Sequence, residues 1–345
     1  MSTLPRSESG VIALRLRSKT KFGLPADARE NKLSDPRRMK TTDISQATAP
    51  IMVEGLTKHY GNVKAVDDLS FVVRAGAVTG FLGPNGAGKT TALKMIVGLA
   101  RPTAGRALVH ASPVASGAAD PHLLGAYIEP CGAHPGRSAR NHLRSLAALA
   151  GLPRSRVDEV LVLVGLEQAA GRRVGTYSTG MRQRLGLGAA LLGDPQILVL
   201  DEPLNGLDPQ GIRWLRTFLR GHAASGKTVL LSSHVLSEAA QTVDDVVVIH
   251  KGRLIRQGSI DELAQLGGGG VLVSTPTRER LAAAVQRAGG RVEHQDGAGR
   301  LLIEGLDAAQ VGELAHEERV VLHELTPHGN SLEEVFFTLT EEEAA

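Results

Sequence analysis

The sequence predicts an α/β fold, with a mixed, largely parallel sheet and a helical insertion, followed by a small C-terminal α+β unit. Three observations carry this. Short apolar runs at 78–82, 197–200, 229–232 and 246–249 are separated by helical segments, the alternation of a parallel sheet with crossover helices. The first run feeds a glycine-rich turn, 83–91, that opens a helix. A four-glycine run, Gly267–Gly270, then precedes a β-α-β-β-α-β succession, the order of a ferredoxin-like unit.

A chain of 345 residues suits one large domain and a smaller one, and 42% apolar content excludes global disorder. There is no run of 18 apolar residues and no apolar N-terminal core, so neither a membrane span nor a secretory signal is expected. Cys131 is the sole cysteine and cannot form an internal disulfide, which fits a reducing cytosol. Aromatic residues make up 3%, too few for base-stacking platforms, so no nucleic-acid partner is expected. The net charge of +3 is unevenly spread. Residues 1–49 hold ten Lys/Arg against five Asp/Glu, a balance of +5, which leaves the remainder at −2.

Residues 1–49 are polar, basic and aperiodic, and read as a disordered extension. A main domain spans 50–266 and a small accessory domain 267–345. In the main domain, strands are predicted at 51–53 and 69–73, with a turn at 60–62. The strand 78–82 and the helix 91–99 follow. A helical subdomain covers about 120–185, including 142–149 and 156–164. In the accessory domain, strands are predicted at 271–275, 291–295, 300–304 and 320–325, and helices at 278–288 and 307–317. Ser331 and Glu334 form a capping box for a terminal helix.

Residues 83–90 match G-x-x-x-x-G-K-[ST], with Gly83, Gly88, Lys89 and Thr90 in register. The strand before and the helix after supply the context that this motif needs. The backbone of Gly83, Pro84, Asn85, Gly86, Ala87, Gly88, Lys89, Thr90 and Thr91 can wrap a phosphate, because glycines turn N–H groups inward with no Cβ in the way. The helix that follows directs its positive end at the same anion. Lys89 can reach the β- and γ-phosphates of ATP, and the Thr90 hydroxyl can ligate Mg²⁺. About 110 residues on, the apolar strand 197–200 ends in Asp201-Glu202. Asp201 can hold Mg²⁺ through water, and Glu202 can act as the base that polarises an attacking water.

Tyr177-Ser178-Thr179-Gly180-Met181 precedes that strand. Here the chain resembles the ATPase subunits of ATP-binding-cassette (ABC) transporters, whose signature is approximately L-S-G-G-Q. This copy keeps Ser178 and Gly180 and departs at the other three positions. The resemblance implies a P-loop NTPase cassette over about residues 51–260. It identifies Asn205-Gly206-Leu207-Asp208 with the D-loop and His234 with the switch histidine, an imidazole that would stabilise charge on the γ-phosphate. It makes Tyr60 the adenine-stacking aromatic, for which a turn-packing tyrosine is the plain alternative. Glu129 falls where the family usually has glutamine, near Mg²⁺ and water. The stretch 134–143 and the terminal 330–336 look like bacterial daunorubicin- and bacitracin-type resistance exporters.

The resemblance further implies that two copies dimerise head to tail around ATP, each nucleotide bridging Lys89 of one copy and Ser178 of the other. Transport would then need a separate ABC-2-type membrane permease, with the chain peripheral on the cytoplasmic face. Its cargo would be a drug, an antibiotic or another small hydrophobic compound. Import, or a soluble regulatory role, is the alternative. A DNA-acting cassette would need a long coiled coil between phosphate loop and signature, and only about 90 residues lie there. Ribosome-acting relatives usually fuse two cassettes, and one is present.

Overall fold

The computed structural model describes residues 49–114, 120–129, 132–266, 270–295 and 300–328. The basic extension up to residue 48, Cys131, most of the glycine run and the terminal capping box lie outside the described residues. The chain divides into two compact units between Gly258 and Ser259.

The first unit contains two sheets. One is antiparallel, of order β2-β1-β4-β5, from β1 (Ile51–Tyr60), β2 (Val63–Val73), β4 (Ala104–Val109) and β5 (Ser112–Pro113). The first two strands form one long hairpin about the turn at Gly61-Asn62, extending well beyond the predicted cores. The last two strands are not predicted, because only the second half of β4 is buried and no apolar period develops.

The other sheet has six strands: β10 (Arg253–Ser259), β9 (Asp245–His250), β3 (Val78–Leu82), β8 (Thr228–Ser233), β7 (Ile197–Leu200) and β6 (Leu124–Tyr127), in that order. The pairs β9·β3, β3·β8, β8·β7 and β7·β6 are parallel. All residues of β3, β7 and β8 are buried. Strands covered on both faces read as unbroken apolar runs, which is why these three were predictable. β6 lies inside the range read as helical. Its Leu-Gly-Ala-Tyr sequence has weak strand propensity and is held by pairing to β7. The inserted helices begin only with α2 (Ala139–Leu149) and continue with α3 (Ser155–Leu163) and α4 (Thr179–Ala190).

α1 (Lys89–Ile96) follows β3, and its buried Leu93 and Ile96 join the core in which Phe71 and Phe81 stack with ring centroids 5.3 Å apart. α5 (Pro209–Ala224) starts with Asp208 as N-cap and proline in its first turn. Its buried face, Gly211, Leu215, Leu219 and His222, keeps helical spacing. The short α6 (Leu236–Ala240) precedes β9.

The second unit comprises α7 (Ile260–Leu266), β11 (Gly270–Ser274), α8 (Arg278–Arg287), β12 (Arg291–Gln295), β13 (Arg300–Glu304), α9 (Ala308–Glu317) and β14 (Glu324–His328). After α7, its sheet is wholly antiparallel in the order β12-β13-β11-β14, the topology of a ferredoxin-like unit. Its core is built from Val271, Val273, Leu281, Val285, Leu301 and Ile303. A capping box of Asp307 and Gln310 opens α9. The last strand begins four residues later than predicted. Arg319 turns the chain at φ 53°, and Val320 is buried as a core plug rather than as a strand residue.

Two histidines in the first unit are buried, His142 on α2 and His222 on α5. Burial pushes both down to about 4, helped by the nearby Arg137 and Lys227 charges respectively. Unfolded rings take up protons near pH 6.5, while the folded rings resist until about pH 4. Stability is therefore complete above the unfolded value and lost as pH falls through this window. The unfolding free energy from urea titration should fall between pH 7 and pH 5 by on the order of 2 kcal/mol per ring, and His222→Met should flatten part of that slope.

Candidate functional site

Parallel pairing sets four strand ends on one edge of the six-stranded sheet: β3 leads into the phosphate loop, β7 into Asp201-Glu202, β8 into His234 and β6 towards Glu129. Ligands of open α/β sheets bind beyond the carboxyl ends of the strands.

The loop itself is closely braced. Ala87 N–H donates to Pro84 O (3.1 Å), Gly83 N–H to Ser233 O (3.4 Å) and Gly252 N–H to Ala87 O (2.9 Å). Gly88 has φ 101°, and a Cβ there would overlap the backbone oxygen of Ala65. No other residue fits this position. Asn85 and Gly86 are exposed at the tip, and Thr90 and Thr91 are half-buried at the start of α1.

Lys89 is 6% exposed, and its ammonium donates to Gly83 O (2.7 Å) and Pro84 O (3.2 Å). It also pairs with Glu202 Oε1 at 3.3 Å. A buried cation needs an anion, and here a carboxylate fills that role. The other Glu202 oxygen, Oε2, accepts from His234 Nδ1 at 2.9 Å. Glu202 thus joins the loop lysine to the histidine, with its own backbone in the left-handed region at φ 48°. Asp201 is 2% exposed, and its N–H donates to Tyr127 O (2.8 Å), which ties it to the end of β6. Glu129 lies two residues past that end and is exposed.

A glycine-rich loop wrapped around a buried ammonium that already holds a carboxylate fits a phosphate chain. Thr90 and Asp201 are hard oxygen donors suited to Mg²⁺. Among the described residues no group of three or more His, Cys, Asp or Glu could hold a metal ion alone. Mg²⁺ held by a carboxylate, a hydroxyl, phosphate oxygens and water needs no such group.

The remaining predicted residues stand apart from this cluster. Ser178 is the exposed N-cap of α4, its Oγ accepting from Met181 N–H at 3.3 Å. Gly180 faces the D-loop, where a Cβ would stand 3.3 Å from Gly206 O. Asp208 accepts from Gly211 N–H at 2.8 Å as a helix cap. Among the described residues, no hydrogen bond or ion pair joins Ser178, Gly180 or Asp208 to the phosphate loop. Tyr60, at the β1–β2 turn, is 52% exposed, with Lys58 Nζ 5.0 Å from its ring centre.

Sequence reasoning assigned no role to Ser232. Its buried hydroxyl donates to Asp201 Oδ1 (2.7 Å) and accepts from Glu202 N–H (2.9 Å). The one available signal was a polar residue at the end of an apolar strand.

Fold and site together define a P-loop nucleoside triphosphatase. Residues 66–205 match the family described as ABC transporter, and residues 269–333 match a domain of unknown function (DUF8746). The bacitracin transport ATP-binding protein BcrA of Bacillus licheniformis is 41% identical over 216 residues, 62% of this chain and 71% of that protein. The daunorubicin resistance ATP-binding protein DrrA3 of Streptomyces coeruleorubidus is 39% identical, over 69% of this chain and 78% of that protein. A solved ATP-binding subunit of an ABC transporter superposes with a TM-score of 0.57 at 29% identity, covering 62% of this chain and 92% of that one. The chain belongs to the ATP-binding subunits of ABC transporters, and it is an ATP-hydrolysing transport ATPase.

Gly88→Ala tests the cradle. The added Cβ meets backbone in a conformation that L-residues resist. We expect a loss of stability of roughly 1–3 kcal/mol and no measurable ATP binding by calorimetry, while Gly86→Ala, whose Cβ meets nothing within 4 Å although φ 82° strains it, should bind at least partially.

Proposed function

We propose that this chain powers a separate ABC-2-type membrane permease by hydrolysing ATP between two copies of itself, and that the transporter exports an antibiotic, drug or other small hydrophobic compound. The observation that carries the hydrolytic part is the Lys89–Glu202–His234 cluster at the mouth of the phosphate loop. The export part rests on the names of relatives, which act in bacitracin transport and daunorubicin resistance. No helix among the described residues is long and apolar enough to cross a membrane, which agrees with a pore supplied by another subunit. In that arrangement the chain sits on the cytoplasmic face, and its helical insertion is the docking surface.

When bound, Mg·ATP would supply an electrophilic γ-phosphorus, and Thr90 and Asp201 would hold its Mg²⁺ through oxygen. Lys89 has one anion partner now, and a phosphate competes with Glu202 for it. Release from Lys89 frees the Glu202 carboxylate to accept a proton from water, with His234 holding its other oxygen. Tyr60, exposed at a turn, is available to stack on adenine. Ser178, exposed at a helix start, is available to a second copy. Asp208 reaches that interface through its loop. Glu129 takes the metal-sensing position at the end of β6.

Glu202→Gln should bind ATP with undiminished affinity, accumulate as a dimer on size exclusion with Mg·ATP, and turn over about 10²–10⁴-fold more slowly. Normal turnover would remove the base assignment. A chain that stays monomeric and silent beside its permease would remove the whole reading. ATP turnover in Glu129→Gln and Glu129→Ala tests the metal role: at least one should differ from the parent, and two matches would end that role.

A further inference from the structure

We propose that Ser232 is a positioning residue that sets the spacing between Asp201 and Glu202. This rests on the roles proposed above for those two carboxylates. Ser232 lies next to last on β8, between the strand that feeds the phosphate loop and the strand that ends in the carboxylates. It pairs in register with Phe81 of β3. Its side chain is fully buried.

A hydroxyl has one proton and two lone pairs. Here the proton goes to Asp201 Oδ1 at 2.7 Å, and a lone pair takes Glu202 N–H at 2.9 Å. The direction of each bond is fixed, because an amide N–H can only donate and a carboxylate oxygen accepts. One oxygen of Asp201 is thereby committed to the protein, leaving Oδ2 for the coordination shell of a divalent cation. The same atom pins the backbone of Glu202 in its left-handed conformation, φ 48°. Such conformations persist only where the surroundings over-determine them. Glu202 is therefore held at its N–H by Ser232, at Oε1 by Lys89 and at Oε2 by His234, while its carbonyl accepts from Asn205 N–H at 3.2 Å. Lys89 is the partner that a phosphate would draw away. The backbone anchor stays, so the carboxylate pivots about a fixed point instead of drifting from the metal-facing oxygen.

The neighbouring Ser233 serves differently. Its hydroxyl accepts from Val235 N–H and donates to Val235 O, both at 3.1 Å, a local turn with no link to either carboxylate. Water cannot replace the Ser232 hydroxyl, because the hole left by one oxygen in a close-packed strand is smaller than a water molecule.

The test uses the purified full-length chain with Ser232→Ala and Ser232→Thr, the latter keeping both hydrogen bonds. Mn²⁺ affinity in the presence of ATP, read by electron paramagnetic resonance, should fall about ten- to hundredfold in Ser232→Ala, and kcat should fall in the same range. Affinity for ATP in EDTA should stay within about twofold of the parent, since the bonds removed serve the metal side and the base, not the phosphate cradle. Ser232→Thr should recover most of both losses. Parent-like Mn²⁺ affinity and kcat in Ser232→Ala would overturn the proposal. So would a Ser232→Thr chain that melts like the parent yet performs no better than Ser232→Ala. Glu202→Gln, run alongside, separates the two readings: normal turnover there removes the base role itself, whereas a silent Glu202→Gln beside a normal Ser232→Ala removes only the positioning role.

Discussion

A buried ammonium must have an anion beside it, and the catalytic unit is arranged around that requirement at Lys89. Its side chain is 6% exposed, and a cation so far from water is destabilising unless compensated. Two backbone carbonyls of its own loop supply dipoles, and Glu202 supplies the charge. A phosphate chain offers a denser charge to the same donors. On the roles proposed for Lys89 and Glu202, substrate and base compete for one cation, and arrival of the substrate releases the base. On that proposal a single ion pair couples nucleotide binding to release of the Glu202 carboxylate.

That economy depends on topology. Asp201 and Glu202 are more than a hundred residues from Lys89, and His234 is a further thirty away. They meet because β3, β8 and β7 are adjacent and parallel, so that every one of these segments leaves the sheet at the same edge. Parallel strands need both faces covered, and the complete burial of β3, β7 and β8 reflects it. The burial that stabilises the sheet is also what makes its exit edge a low-dielectric place, where the Glu202 pairs are stronger than they would be in water.

The legibility of the sequence followed the range of the physics. The phosphate loop was readable because its chemistry is contiguous: glycines, lysine and hydroxyl are all within nine positions. The buried strands were readable because a two-sided environment selects an unbroken apolar run. β6 was misread as part of a helical region because Leu-Gly-Ala-Tyr carries no period, and its identity comes from a neighbour more than seventy residues away. β14 was placed too early because Val320-Val321-Leu322 resembles a strand, whereas the turn at Arg319 makes Val320 a plug. Ser232 escaped for a similar reason: a serine acquires a task only when Asp201 and the Glu202 amide come within reach of its oxygen.

The altered signature follows the same logic at closer quarters. Thr179 stands where the family has glycine, yet it does not crowd the helix start, because its hydroxyl accepts from Arg182 at 3.3 Å while Arg182 also holds Tyr177 O at 2.7 Å. The substitution is absorbed by a clasp on the chain's own side. Gly180 has no such freedom. A Cβ there would stand 3.3 Å from Gly206 O, and a Cβ on Gly206, at φ 69°, would stand 2.9 Å from the Thr179 methyl. A side chain at Gly180 would therefore be crowded within one copy, before any second copy is considered. Of the two retained positions, Gly180 is thus the one whose side-chain space is bounded by the 205–208 loop, whereas Ser178 caps α4.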